Sequence, residues 1–97
     1  METFPKILIL KESNLRKDKI DGFDLMNFNI PTRSIFHASL IIYVNNNGDI
    51  KVMKSRYGNI SYVERLYNLV RLQNKIKKIN GDKTIDESLL IEQLLEV

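Results

Sequence analysis

Phe36-His37-Ala38-Ser39-Leu40-Ile41-Ile42-Tyr43-Val44, followed by Asn45-Asn46-Asn47-Gly48, is the stretch on which the fold turns. Its even positions, Phe36, Ala38, Leu40, Ile42 and Val44, are all apolar. Side chains alternate faces along a strand, so these five share one face. His37, Ser39, Ile41 and Tyr43 share the other. The Asn-Gly run tolerates positive φ, and Asp49 to Ser55 reads as the return strand of a hairpin.

Two registers compete. A two-residue turn at Asn47-Gly48 sets Val44 opposite Lys51. A three-residue loop with Gly48 left-handed pairs Asn45 with Asp49, Val44 with Ile50 and Ile42 with Val52. Burial specifies register, and the second choice gathers the branched apolar residues on one face. It also sets Tyr43 opposite Lys51, Ile41 opposite Met53, Ser39 opposite Ser55 and His37 opposite Tyr57.

Outward from the hairpin, Phe4 to Glu12 reads as a strand that is apolar on both faces. That character suits a central slot, whereas a simple meander leaves it at an edge. Ser13 to Gly22 is a charged connection, and Arg16, Lys17 and Lys19 in it read as a solvated loop rather than a phosphate site. Phe23 to Ile30 forms a weaker strand whose apolar parity changes near Leu25-Met26, the mark of a β-bulge. Pro31 to Ser34 then turns the chain back, and so short a connection implies antiparallel neighbours.

After Gly58, Ser61-Tyr62-Val63-Glu64 has the spacing of a capping box. The helix it opens stops at Asn80-Gly81, with glycine left-handed. Tyr62, Val63, Leu66, Tyr67, Leu69, Val70, Leu72, Ile76 and Ile79 fill about two-thirds of its circumference, wider than an ordinary surface helix. Such a helix meets the sheet and something else. Thr84-Ile85-Asp86-Glu87 is a second capping box before a leucine-rich helix, so the two helices form an αα-hairpin. The expected architecture is a single α+β domain over 1–97. A four-stranded, mainly antiparallel sheet (about 4–12, 23–30, 35–45, 49–56) is followed by a C-terminal αα-hairpin (about 61–79 and 85–96) packed on it.

The chain has 97 residues, no cysteine and a formal net charge of +3. Residues 1–81 carry +7 and residues 82–97 carry −4, so an acidic last helix follows a basic body. Without cysteine there is no disulfide framework and no thiol nucleophile. The opening Met-Glu-Thr-Phe-Pro-Lys lacks the basic start and apolar core of a signal peptide. No apolar run approaches the ~20 residues of a membrane span. The expectation is a soluble, cytoplasmic protein. Abundant Ile, Lys and Asn with no Trp is the composition of an AT-rich genome, shared by small proteins of phages, archaeal viruses and plasmids.

Catalytic signals are missing. His37 has no metal-ligating companions at zinc spacing and reads as a strand-surface residue. No nucleophile elbow and no phosphate-binding glycine loop occurs. Asp18, Asp21, Asp24 and Glu12 lie in or beside polar loops, which does not suit paired-carboxylate chemistry. No enzyme activity, cofactor or metal is expected.

Two surfaces remain. Arg71, Lys75 and Lys78 stack on one helix face, and Arg56 and Lys77 widen the ridge. Such a row suits a nucleic-acid backbone or an acidic partner. The plainer account is a solvated face paired with acids of the last helix. Ile41, Tyr43, Met53 and Tyr57 make the outer face of the hairpin, of a type enriched at protein interfaces unless a helix covers it. The function expected is non-enzymatic protein binding by an accessory protein, virus- or phage-encoded and acting on a host factor, with self-association as a homodimer. Nucleic-acid binding is the alternative.

Overall fold

The computed structural model describes residues 5–15 and 28–96. The chain is α+β, a three-stranded mixed sheet followed by two C-terminal helices packed together. It forms two compact units, one ending at Gly58 and the other beginning at Asn59.

In the first unit the elements are β1 (Ile7–Lys11), a 3-10 turn (Glu12–Asn14), α1 (Thr32–His37), β2 (Leu40–Val44) and β3 (Ile50–Ser55). The central strand is β2, with all five of its residues buried. A strand covered on both faces needs an unbroken apolar run, and Leu-Ile-Ile-Tyr-Val supplies it. On one side β2 pairs in parallel with β1, from Ile7 opposite Leu40 to Lys11 opposite Val44. Parallel neighbours require a crossover. The chain between Lys11 and Leu40 provides it, and α1 lies in that crossover.

The expected four-stranded, mainly antiparallel sheet is corrected here. Residues 23–27, with the suspected bulge, lie outside the described residues, as does the charged connection from 16 to 22. Phe28 makes only an isolated bridge to Leu15. The stretch expected as the start of the organising strand is helical. Pro31 at φ −56° caps α1, and Ser34 N–H and Ile35 N–H donate to its carbonyl. Two apolar residues at spacing two, Phe36 and Ala38, could not decide the period. The helix instead turns Ile35 and Ala38 inward and leaves Phe36 70% exposed. His37 therefore has no strand partner at Tyr57.

The hairpin tip follows the expected register. Asn45 N–H donates to Asp49 O at 2.9 Å, Gly48 N–H to Asn45 O at 3.0 Å, and Gly48 has φ 89°. The Asn45 amide oxygen accepts from Asn47 N–H (3.0 Å) and Asp49 N–H (2.8 Å), an Asx turn inside the loop. Val44 faces Ile50, Tyr43 faces Lys51 and Ile42 faces Val52. Beyond that pair a β-bulge intervenes, so Ile41 faces Lys54 and Leu40 faces Ser55. The expected Ile41–Met53 and Ser39–Ser55 pairs are thereby displaced. The extra residue, Met53, still packs with the cluster that holds Ile41 and Tyr43. The Lys54 ammonium donates to the carbonyls of Phe36 (2.8 Å) and Ile35 (3.3 Å), where a cation complements the C-terminal end of α1.

The second unit holds α2 (Ile60–Ile79) and α3 (Glu87–Leu95). Both caps lie two residues from their expected places. Asn59, not Ser61, caps α2, its amide oxygen accepting from Tyr62 N–H at 3.2 Å. Asp86, not Thr84, caps α3, accepting from Ser88 N–H (2.9 Å) and Leu89 N–H (3.3 Å). The stop at Asn80-Gly81 is as expected. Gly81 has φ 77°, and Gly81 N–H and Asp82 N–H donate to Lys78 O and Lys77 O in a Schellman motif.

Candidate protein-binding face

The geometry of α2 begins with what it holds. Asn74 grips the connection to α3: its amide nitrogen donates to Ile85 O at 2.7 Å, and its oxygen accepts from Ile85 N–H at 3.1 Å. Two turns back, the Tyr67 hydroxyl donates to a Glu87 carboxylate oxygen at 2.7 Å. Burial pushes the Tyr67 phenol far above its usual range, and the Glu87 bond and charge push it further. The proton thus stays on Tyr67 and the bond keeps its donor. Tyr67 and Asn74 are seven residues apart, so α3 lies along one line of α2.

On the other side of α2, Tyr62, Leu69, Leu72, Ile76 and Ile79 are between 48% and 75% exposed. At 100° per residue their line lies roughly 170° from the line of Tyr67 and Asn74. The wide apolar arc of the sequence is therefore two stripes. Val63, Leu66, Tyr67 and Val70 are buried, and the second stripe is open. The sequence pattern assigns this arc two surfaces to meet but does not say which residues belong to each. The signal that separates the stripes is spacing: 69, 72, 76 and 79 alternate three and four, and 62 lies one heptad before 69.

The residues singled out from sequence are placed as follows. Lys75 and Lys78 are exposed, and Arg71 is half-buried with its guanidinium 5.8 Å from the Tyr67 ring. These three do form one row on α2. Arg56 belongs to the first unit, where it is exposed and reaches the Phe36 carbonyl at 3.5 Å. Ile41 and Tyr43 are buried, packed with Leu10, Phe28 and Ala38, and the Phe28 ring meets Tyr43 edge-on at 5.8 Å. Met53 and Tyr57 are half-buried. The outer face of the hairpin is thus interior to its own unit. His37 is exposed at the end of α1, its ring edge-on to Phe36.

Among the described residues no group of three His, Cys, Asp or Glu side chains could hold a metal ion, and no helix is long and apolar enough to cross a membrane. No protein-family model, curated protein or solved structure matches the chain.

Proposed function

We propose that the protein acts by binding another protein through the open face of α2, as a non-enzymatic accessory factor. One observation carries this reading: five large apolar side chains stand about half exposed or more along a single line of one helix. Contiguous exposed apolar surface of this kind is uncommon on soluble proteins unless something docks there. The complementary surface is an apolar helix stripe or groove on the partner.

The alternative rests on the row of Arg71, Lys75 and Lys78, which suits a phosphate backbone. Anisotropy titrations with a 20-base-pair duplex and a 20-nucleotide single strand separate the two. The expected result is no binding tighter than ~10⁻⁴ M at about 150 mM salt, the weak end of non-specific association. Tighter binding with a steep salt slope, lost in Arg71→Glu with Lys75→Glu, would overturn the protein-binding reading. A photo-crosslinking residue at position 72 should trap protein adducts in producing cells, and one at position 78 should not. Equal trapping at both positions counts against the face.

A further inference from the structure

The open face of α2 has a register of its own. Tyr62, Arg65, Leu69, Leu72, Ile76 and Ile79 occupy successive first and fourth positions of a heptad repeat over nearly three heptads. Five are the exposed apolar residues just described, and the sixth, Arg65, is also exposed. A strict three-four alternation is narrower than the stripe a helix turns toward a globular core. It is the seam that one helix offers to another.

We infer that the occupant of this face is a second copy of the chain, its α2 antiparallel to the first about a two-fold axis passing between Val70 and Arg71. The inference rests on the protein-binding reading above and names its partner. In an antiparallel pair, first positions meet fourth positions. The axis at Val70–Arg71 sets Leu69 against the second copy's Leu72, Arg65 against its Ile76, and Tyr62 against its Ile79. Every member of the stripe finds a partner and none is left over. The arrangement is self-complementary, as a two-fold interface must be.

Charge selects the direction. Two parallel copies would bring Arg65 against Arg65 in the seam, a like-charge pair where water is thinnest. Antiparallel copies lay the Arg65 stem over isoleucine and let its head reach solvent at the edge. At the flanks Lys75 comes beside the second copy's Asn68, and Gln73 beside its Leu66, and the Arg65 head nears the second copy's Lys75 only at the solvent edge. Antiparallel helix dipoles also oppose one another favourably. The side of α2 that grips α3, through Tyr67 and Asn74, faces away from the seam. The stripe offers on the order of 500 Å² per copy, or ~1,000 Å² for the pair, where specific interfaces begin.

The chain lacks cysteine, so introduced thiols report without competition. A chain carrying Arg65→Cys and Ile76→Cys should form a covalent dimer under mild oxidation, as should an equimolar mixture of the two single variants. Each single variant alone should stay monomeric on a denaturing gel. Its two thiols would lie eleven residues apart along antiparallel helices, about 16 Å, beyond disulfide reach. Light scattering at ~100 µM should give twice the 11.4 kDa of one chain. Leu69→Asp should keep the helical circular dichroism and raise the dissociation constant ~100-fold or more. Efficient self-crosslinking of either single variant overturns the antiparallel direction. A single-chain mass at ~100 µM overturns the second copy as occupant. That outcome leaves the protein-binding reading standing, because that reading fails on the nucleic-acid titration or on crosslinking at position 72 instead.

Discussion

Two apolar faces of this chain look alike in sequence and have opposite fates. Ile41 and Tyr43, with Met53, form the outer face of the β-hairpin. Leu69, Leu72, Ile76 and Ile79 form the outer stripe of α2. The first is closed from within its own unit, by Leu8 and Leu10 on β1 and by Phe28 and Ile35 from the crossover. The second stands open. The difference lies in where the cover of each unit is committed. Phe28 and Ile35 close the hairpin face, whereas Tyr67 and Asn74 hold α3 on the other side of α2. Apolar character marks a face that wants cover, and topology decides whether the cover comes from the same chain.

The largest expected effect is on the closed face. Ile41 is fully buried among Leu10, Ala38 and Tyr43. Ile41→Ala removes three carbons from a packed site and should cost ~2–5 kcal/mol in a urea titration. A loss below ~1 kcal/mol would show that this face is loosely covered, and the contrast with α2 would break.

How much of this was legible can be argued from particular residues. Gly48 and Gly81 each sit at a positive φ that the neighbouring sequence demanded, so the hairpin tip and the end of α2 were readable locally. The caps were not. Asn59 competes with Ser61, and Asp86 with Thr84, for the same job, and spacing alone favours the wrong one of each pair. The parallel pairing of β1 with β2 was hidden for a different reason. Nothing in Ile7 to Lys11 records which strand lies beside it. The last turn of α1 was missed because Phe36 and Ala38 satisfy the strand period, whereas the pair that turns inward on the helix is Ile35 and Ala38, three residues apart. At the candidate face, the excess apolar arc of α2 was visible. That it meets two surfaces was visible too, but the three-four spacing that assigns residues to the open stripe was not used.

The next effect sharpens the comparison from the other side of α2. Tyr67→Phe removes the donor that holds Glu87 and should cost ~1–3 kcal/mol, as for a hydrogen bond to a charged group. It also carries a pH signature. The folded Tyr67 phenol titrates above the unfolded one, near 10, so its stabilisation is complete below about pH 10. As pH rises further the unfolded chain releases this proton first, and folding weakens by ~1.4 kcal/mol per pH unit from this group. Wild-type stability should therefore fall more steeply above pH 10 than that of Tyr67→Phe. Parallel alkaline profiles would mean that the bond does not hold α3 to this line of α2.

The smallest expected effect is on the open stripe. Leu72 is 53% exposed, so a single chain gains only part of the usual benefit of burying it. Alanine is also the better helix former, which offsets some of what is lost. Leu72→Ala should change the unfolding free energy by no more than about 0.5 kcal/mol at ~1 µM, the range of an ordinary surface position. At ~100 µM the outcome should differ. Association stabilises whichever form pairs, by mass action. Wild type should therefore gain midpoint with concentration, and Leu72→Ala should gain much less. The size of that gap measures how far the stripe is used between copies. A loss above ~2 kcal/mol at ~1 µM would instead show that Leu72 is already covered within one chain. The stripe would then belong with Ile41, as a closed face.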